Sequence, residues 1–70
     1  MPEGRLGNHL RAARAQHGLT QADLAMRVEV SRKTINTIEN GVFVPSTYLA
    51  LKLAAALDAK VEELFFLVVE

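Results

Sequence analysis

Cysteine is absent from the 70 residues. That excludes a disulfide frame and a thiolate metal site, and it is compatible with a reducing cytoplasm, the location expected here. No apolar run reaches the length of about 18 residues that a membrane-crossing helix needs. The first residues also lack an apolar signal core, so neither a membrane span nor secretion is expected. Histidine is scarce: His9 and His17 stand eight positions apart, with no carboxylate at ligand spacing, so they read as surface or helix-end residues and no metal is expected. No nucleophile–base pairing and no phosphate-cradling glycine loop is visible. A helical domain this small has no deep pocket, so the expectation is no enzyme, no cofactor and no small-molecule substrate.

Net charge is lacking too: eight cations balance eight anions. The distribution is less even. Residues 1–41 hold Arg5, Arg11, Arg14, Arg27, Arg32 and Lys33 against Glu3, Asp23, Glu29 and Glu39, whereas residues 42–70 hold Lys52 and Lys60 against Asp58, Glu62, Glu63 and Glu70. The halves are therefore +2 and −2, a polarity that turns the first half toward phosphates, with modest and salt-sensitive non-specific affinity. The length allows a single domain over residues 1–70, with a core near the smallest that folds without a disulfide or metal.

What is present is concentrated between Thr20 and Gly41. The spacing predicts two short helices joined by a tight turn, because Thr20 and Ser31 can each accept from the free N–H groups of a first helical turn. Thr20 with Asp23 is a conservative capping box. Leu24, Ala25 and Val28 share a face of the first of these helices. On the second, Ile35 and Ile38 point to a common side. Arg32, Lys33, Asn36 and Thr37 lie within about 140° of one another and roughly opposite those isoleucines, at about 100° per residue. A helix fastened by two isoleucines and showing cations and hydrogen-bonding side chains outward suits a DNA major groove. A plain solvated face has the same pattern.

The full spacing T-Q-x-x-L-A-x-x-V-x-V-S-x-x-T-I-x-x-I-E-N-G resembles the helix-turn-helix signature of the Cro/lambda-repressor-like (Xre) family of DNA-binding regulators. Looser matches flank it: L-R-x-A-R-x-x-x-G-L before it, then V-P-S-x-x-x-A-L-K-L-A-x-A-L and V-E-E-L-F after it. The resemblance implies an all-α, five-helix lambda-repressor-like domain with its helix-turn-helix at about 20–41. It implies sequence-specific binding of double-stranded DNA by a homodimeric transcriptional regulator, a repressor in the leading reading, on a near-palindromic operator. Arg32, Lys33 and Thr37 are the expected base contacts; Gln21, Ser31, Asn36 and Asn40 are expected at the DNA backbone. In the family an Arg matching Arg14 commonly pairs with the Glu matching Glu39, expected here as an orienting device of about 0–1 kcal/mol, the range of exposed ion pairs. An antitoxin, a restriction–modification controller or a protein-interaction module without an operator would share the fold.

Met1–Arg5 is expected as a loose arm and Leu6–His17 as the first helix, with Gly18 as its stop. The chain departs from the family at Glu29, where many relatives carry Gly in a positive-φ turn, and at Asp58–Lys60, where G-x-S is common. Val30 is expected to tuck inward. Phe43 is read as a satellite core residue in preference to a wedge beside DNA. Ser46 should cap a fourth helix running through about Leu57, with Leu49, Leu53 and Leu57 inward. That helix is apolar nearly all round, which points to a second chain against it. Val61, Leu64 and Phe65 should close the core. Phe66, Leu67, Val68 and Val69 then form a β-prone apolar surplus, expected as a dimer contact within a C-terminal segment at about 64–70 by pairing with its two-fold mate.

Overall fold

Apolar residues at helical spacing, separated by Ser, Thr and Gly signals, produce five helices in a computed structural model that describes residues 4–69. The order is β1 (Gly4–Asn8), α1 (Leu10–Gln16), α2 (Gln21–Val28), α3 (Arg32–Glu39), α4 (Thr47–Ala56), α5 (Val61–Leu64) and β2 (Phe65–Val69). The core is a single cluster in which Leu10, Leu24, Val28, Ile35, Ile38, Leu53, Leu57 and Leu64 have almost no solvent exposure. Leu49, Phe65, Ala25, Ala50 and Ala54 complete it, and Val30 and Val61 pack on its margin. No helix among the described residues is long and apolar enough to cross a membrane.

The caps follow the side-chain chemistry. Asp23 N–H donates to Thr20 Oγ1 at 3.0 Å, and Thr20 N–H donates to Asp23 Oδ2 at 3.0 Å. Ser31 and Ser46 accept from Thr34 N–H and Leu49 N–H, both at 3.1 Å. At the start of α5, where the resemblance leads one to expect a Ser, Lys60 has no acceptor in its side chain. The Glu63 carboxylate instead takes the Lys60 N–H at 2.8 Å. One orphan donor is thereby satisfied from the other direction.

An all-α description is incorrect by one two-stranded sheet. β1 and β2 pair antiparallel, with Leu6 opposite Leu67, Gly7 opposite Phe66 and Asn8 opposite Phe65. The apolar tail does become a strand, but its ladder partner is the chain's own N-terminal segment. Of the expected arm, Met1–Glu3 lie outside the described residues; Gly4 and Arg5 belong to β1. The first helix consequently starts at Leu10, four residues later than its apolar spacing suggests. Leu6 satisfies its burial from a strand, since an apolar residue four before Leu10 fits a helix or a strand equally when only one side is covered. Gly7 makes room for the Phe66 ring that lies over it, which would have to shift if a Cβ were added there. Phe66 is itself stacked on His9 with ring centroids 4.6 Å apart.

Asn8 joins the sheet to the helices. Its Oδ1 accepts from Leu10 N–H at 3.0 Å, opening α1, and its Nδ2 donates to the Ile38 carbonyl at 2.9 Å, near the end of α3. Phe43 is not a core residue; it is 46% exposed. The loop is held by its backbone, with Val42 and Phe43 N–H groups both donating to the Thr37 carbonyl. That anchorage fixes the chain path without needing the ring.

The turn between α2 and α3 puts a non-glycine residue in the left-handed region: Glu29 has φ 62° and ψ 43°. Its carboxylate stands 3.6 Å from Lys52 Nζ and is largely exposed. The backbone strain, on the order of 1 kcal/mol, outweighs an exposed ion pair of roughly 0–1 kcal/mol. Glu29→Gly should therefore raise stability by up to about 1 kcal/mol, or about 4–8 °C in Tm for a domain this size. Thermal unfolding of the two proteins checks it, and a lower Tm for the glycine variant would show that the Lys52 contact outweighs the strain.

Candidate nucleic-acid interface

α3 lies on the core through Ile35 and Ile38, which are 0% and 1% exposed. The opposite side carries Arg32, Lys33 and Asn36, all exposed, with Thr37 half-buried at its margin. Arg32, Lys33 and Asn36 line one shallow recess. Of the residues expected at DNA, Gln21, Arg32, Lys33, Asn36 and Asn40 are thus gathered on or beside one helix face. Ser31 stands at its N-terminus, where its hydroxyl caps α3 and lies 2.9 Å from Thr34 Oγ1. Thr37 donates its hydroxyl proton to the Thr34 carbonyl at 2.9 Å, so what it offers outward is an acceptor lone pair and a methyl group.

The last residue of α3, Glu39, organises the site's electrostatics. Arg14 meets it in two-point fashion, Nε to Oε2 at 2.7 Å and Nη2 to Oε1 at 3.2 Å, while Arg14 Nη1 donates to the Leu19 carbonyl at 2.9 Å. Arg11 Nε reaches Oε1 at 3.4 Å, and Gln21 Nε2 donates to Oε1 at 3.1 Å. The Glu39 side chain has no solvent exposure and Arg14 retains 16%. The exposed pair expected from the sequence is therefore a covered one, roofed by long polar side chains from α1 and α2. A bare carboxylate here would repel phosphates; enclosed by two guanidinium groups it does not.

Burial by itself would raise the Glu39 carboxyl's pKa. The hydrogen bonds from Arg14 and Gln21 outweigh that and hold it below the ordinary carboxylate value, and the same contact raises the Arg14 guanidinium further. Asp23 is lowered as well, by its hydrogen bonds with the Thr20 backbone and hydroxyl. Among the described residues no trio of His, Cys, Asp or Glu is placed to hold a metal ion.

The helix-turn-helix family model matches residues 10–64. The chain belongs to the helix-turn-helix family. As a helix-turn-helix protein of the Xre-like kind it is similar to an HTH-type transcriptional regulator of Methanocaldococcus jannaschii, at 48% identity over 58 residues, covering 83% of this chain and 88% of that one. It is also similar to the HTH-type transcriptional regulator YgzD of Bacillus subtilis, at 42% identity over 60 residues, covering 86% and 91%. Among solved structures it resembles the restriction–modification controller protein C.AhdI of Aeromonas hydrophila, with a TM-score of 0.73, 37% identity, and coverage of 77% of this chain and 82% of that one. The family is one of DNA-binding transcriptional regulators, and the element these helix-turn-helix proteins share is the α2–turn–α3 unit described above.

Asn8 escaped the sequence reading. An Asn two residues before a helix is a capping signal, but only the fold could bring its amide to Ile38. Replacing Glu39 tests the covered pair. Glu39→Gln should lower stability at neutral pH by about 1.5–3 kcal/mol, the scale of hydrogen bonds to a charged group. A carboxylate with a depressed folded pKa contributes stability that is complete above its unfolded value and is lost as pH falls through the folded one. The gap between parent and variant should thus be constant near pH 7 and close below about pH 4. Urea unfolding at several pH values measures it; a gap independent of pH would mean that Glu39 acts by shape and not by charge.

Proposed function

We propose that this helix-turn-helix protein is a sequence-specific double-stranded-DNA-binding transcriptional repressor that acts as a homodimer on a near-palindromic operator. The single observation that carries the reading is the orientation of α3, with Ile35 and Ile38 inward and Arg32, Lys33 and Asn36 outward. Arg32 and Lys33, near the start of α3, are the candidates for purine base edges, with the Thr37 methyl and lone pair one turn on. Gln21, Ser31, Asn36 and Asn40 surround them on the side where a duplex backbone would pass. Control by occupancy follows: a dimer holding two successive grooves denies that stretch to other proteins.

The need for two copies rests on there being one recognition helix for two half-sites. The described residues measure 39 × 21 × 20 Å and contain one recognition helix, whereas half-sites one turn apart are about 34 Å centre to centre. The proposed dimer face is apolar. Phe65, Leu67 and Val69 alternate onto one side of the sheet, and Phe66 and Val68 onto the other. With Leu6, the first side runs into a groove of about 400 Å³ lined by Val44, Pro45, Ala50 and Leu51. Leu51 is 56% exposed and Leu67 75%, an apolar patch that water disfavours. Of the four tail residues expected at the dimer contact, Leu67 and Val69 are on the side offered to the second copy, while Phe66 and Val68 are on the other side, where Phe66 meets Gly7 and His9. The likeness to C.AhdI supports the restriction–modification controller as the second reading.

Two outcomes test the proposal. With the operator selected from a random duplex pool, Arg32→Ala should relax preference at one base pair of each half-site, by about 1–3 kcal/mol per contact; uniform weakening on every sequence would place Arg32 on phosphate. Leu51→Glu should convert a dimer seen by sedimentation into a folded monomer that no longer prefers two half-sites over one. A dimer unchanged by that substitution would move the interface elsewhere.

A further inference from the structure

Amide side chains have a carbonyl and an NH2 end of nearly equal shape, so which end faces a ligand is decided by the partners inside the protein. Two partners at this site are unambiguous. The Glu39 carboxylate can only accept, so Gln21 turns its Nε2 toward it, at 3.1 Å. The Asn36 main-chain carbonyl can only accept, so Asn40 turns its Nδ2 toward it, at 2.8 Å. Both NH2 groups also lie 3.2 Å from the same side-chain atom, Asn36 Oδ1. That atom must therefore be the carbonyl oxygen, and Asn36 must aim its Nδ2 the other way, into the recess it shares with Arg32 and Lys33.

Resting on the DNA reading above, we infer that Asn36 is locked as a donor and recognises an acceptor on DNA, and that Gln21 and Asn40 are the positioning residues that lock it. Reading adenine in two-point fashion requires an amide carbonyl for the base's N6 amine as well as an NH2 for N7. The Asn36 carbonyl faces inward onto Gln21 and Asn40, so that mode is closed. The acceptors that remain are a phosphate oxygen, or a purine N7, guanine O6 or thymine O4. Among the contacts of the described residues, the NH2 ends of Gln21 and Asn40 are engaged within the protein, whereas that of Asn36 is not. The outward row at positions 32, 33 and 36 thus presents donors alone, and the donor orientation of Asn36 traces back to Glu39, whose covered carboxylate fixes the first amide in the chain of three.

Asn36→Asp isolates the donor. Its inner oxygen still accepts from Gln21 and Asn40, while the outer NH2 becomes a negative acceptor. On a duplex selected by the parent from a random pool, Asn36→Asp should bind at least tenfold more weakly than the parent and more weakly than Asn36→Ala. Reselection with Asn36→Ala locates the acceptor: one position per half-site losing its preference assigns a base, and equal weakening of all sequences assigns phosphate. Either result supports the donor assignment. Removing both holders with Gln21→Leu and Asn40→Ala should shrink the Asn-to-Asp penalty at least twofold, since a freed amide presents its carbonyl part of the time. Binding by Asn36→Asp within twofold of the parent overturns the assignment. So does a selected adenine whose N6 amine the parent requires and Asn36→Ala does not, and an unchanged penalty without Gln21 and Asn40 overturns the locking. A parent that retards no duplex at low salt overturns the DNA reading itself, and this inference with it.

Discussion

The carboxylate of Glu39 is the group on which the rest of the site depends. It belongs to α3, yet its hydrogen bonds come from α1 through Arg14 and Arg11 and from α2 through Gln21. A buried anion has few acceptable geometries, because any arrangement that leaves it unpaired carries a large desolvation penalty. Three helices are therefore held in one relation by a group that contributes little apolar area. Ile35 and Ile38 decide that α3 stays on the core; Glu39 decides where it stays.

That constraint propagates outward. The carboxylate orients Gln21, Gln21 and Asn40 orient Asn36, and the exposed row acquires a defined pattern of donors without extra packing. Polar networks of this kind are useful when every member is satisfied, and among the described residues no buried side-chain nitrogen or oxygen lacks a partner. The same economy appears in the turn. Glu29 accepts a left-handed backbone that glycine adopts most readily, and so does Asp58, at φ 49°. The α2–turn–α3 geometry is preserved although the residue best suited to it is not there.

Much of this was legible in the residues. Thr20, Ser31 and Ser46 announce three helix starts, because a side-chain oxygen satisfying nearby N–H groups is a local event. Leu24, Val28, Ile35 and Ile38 announce inward faces, because helical spacing alone brings them to one side. Phe43 and Leu6 depart from what their spacing predicts for a common reason. Each is an apolar residue whose burial depends on what arrives from a distant part of the chain: Phe43 stays about half exposed, whereas Leu6 pairs with the C-terminal strand in a conformation its own spacing does not specify.

By itself, then, the sequence determined the helical elements, the family, the polar row on α3 and the pairing of residue types at Arg14 and Glu39, since all of these depend on periodicity and capping within a few residues or on a motif matched as a whole. The tertiary structure alone decided that β1 exists, that the apolar tail first satisfies its backbone against the chain's own N-terminus, and that the Arg14–Glu39 pair is covered. It also decided which end of Asn36 looks outward. The physical reason is distance along the chain: hydrogen bonds and burial between residues 15 or more positions apart are settled by the packing of whole elements, and no local pattern encodes them.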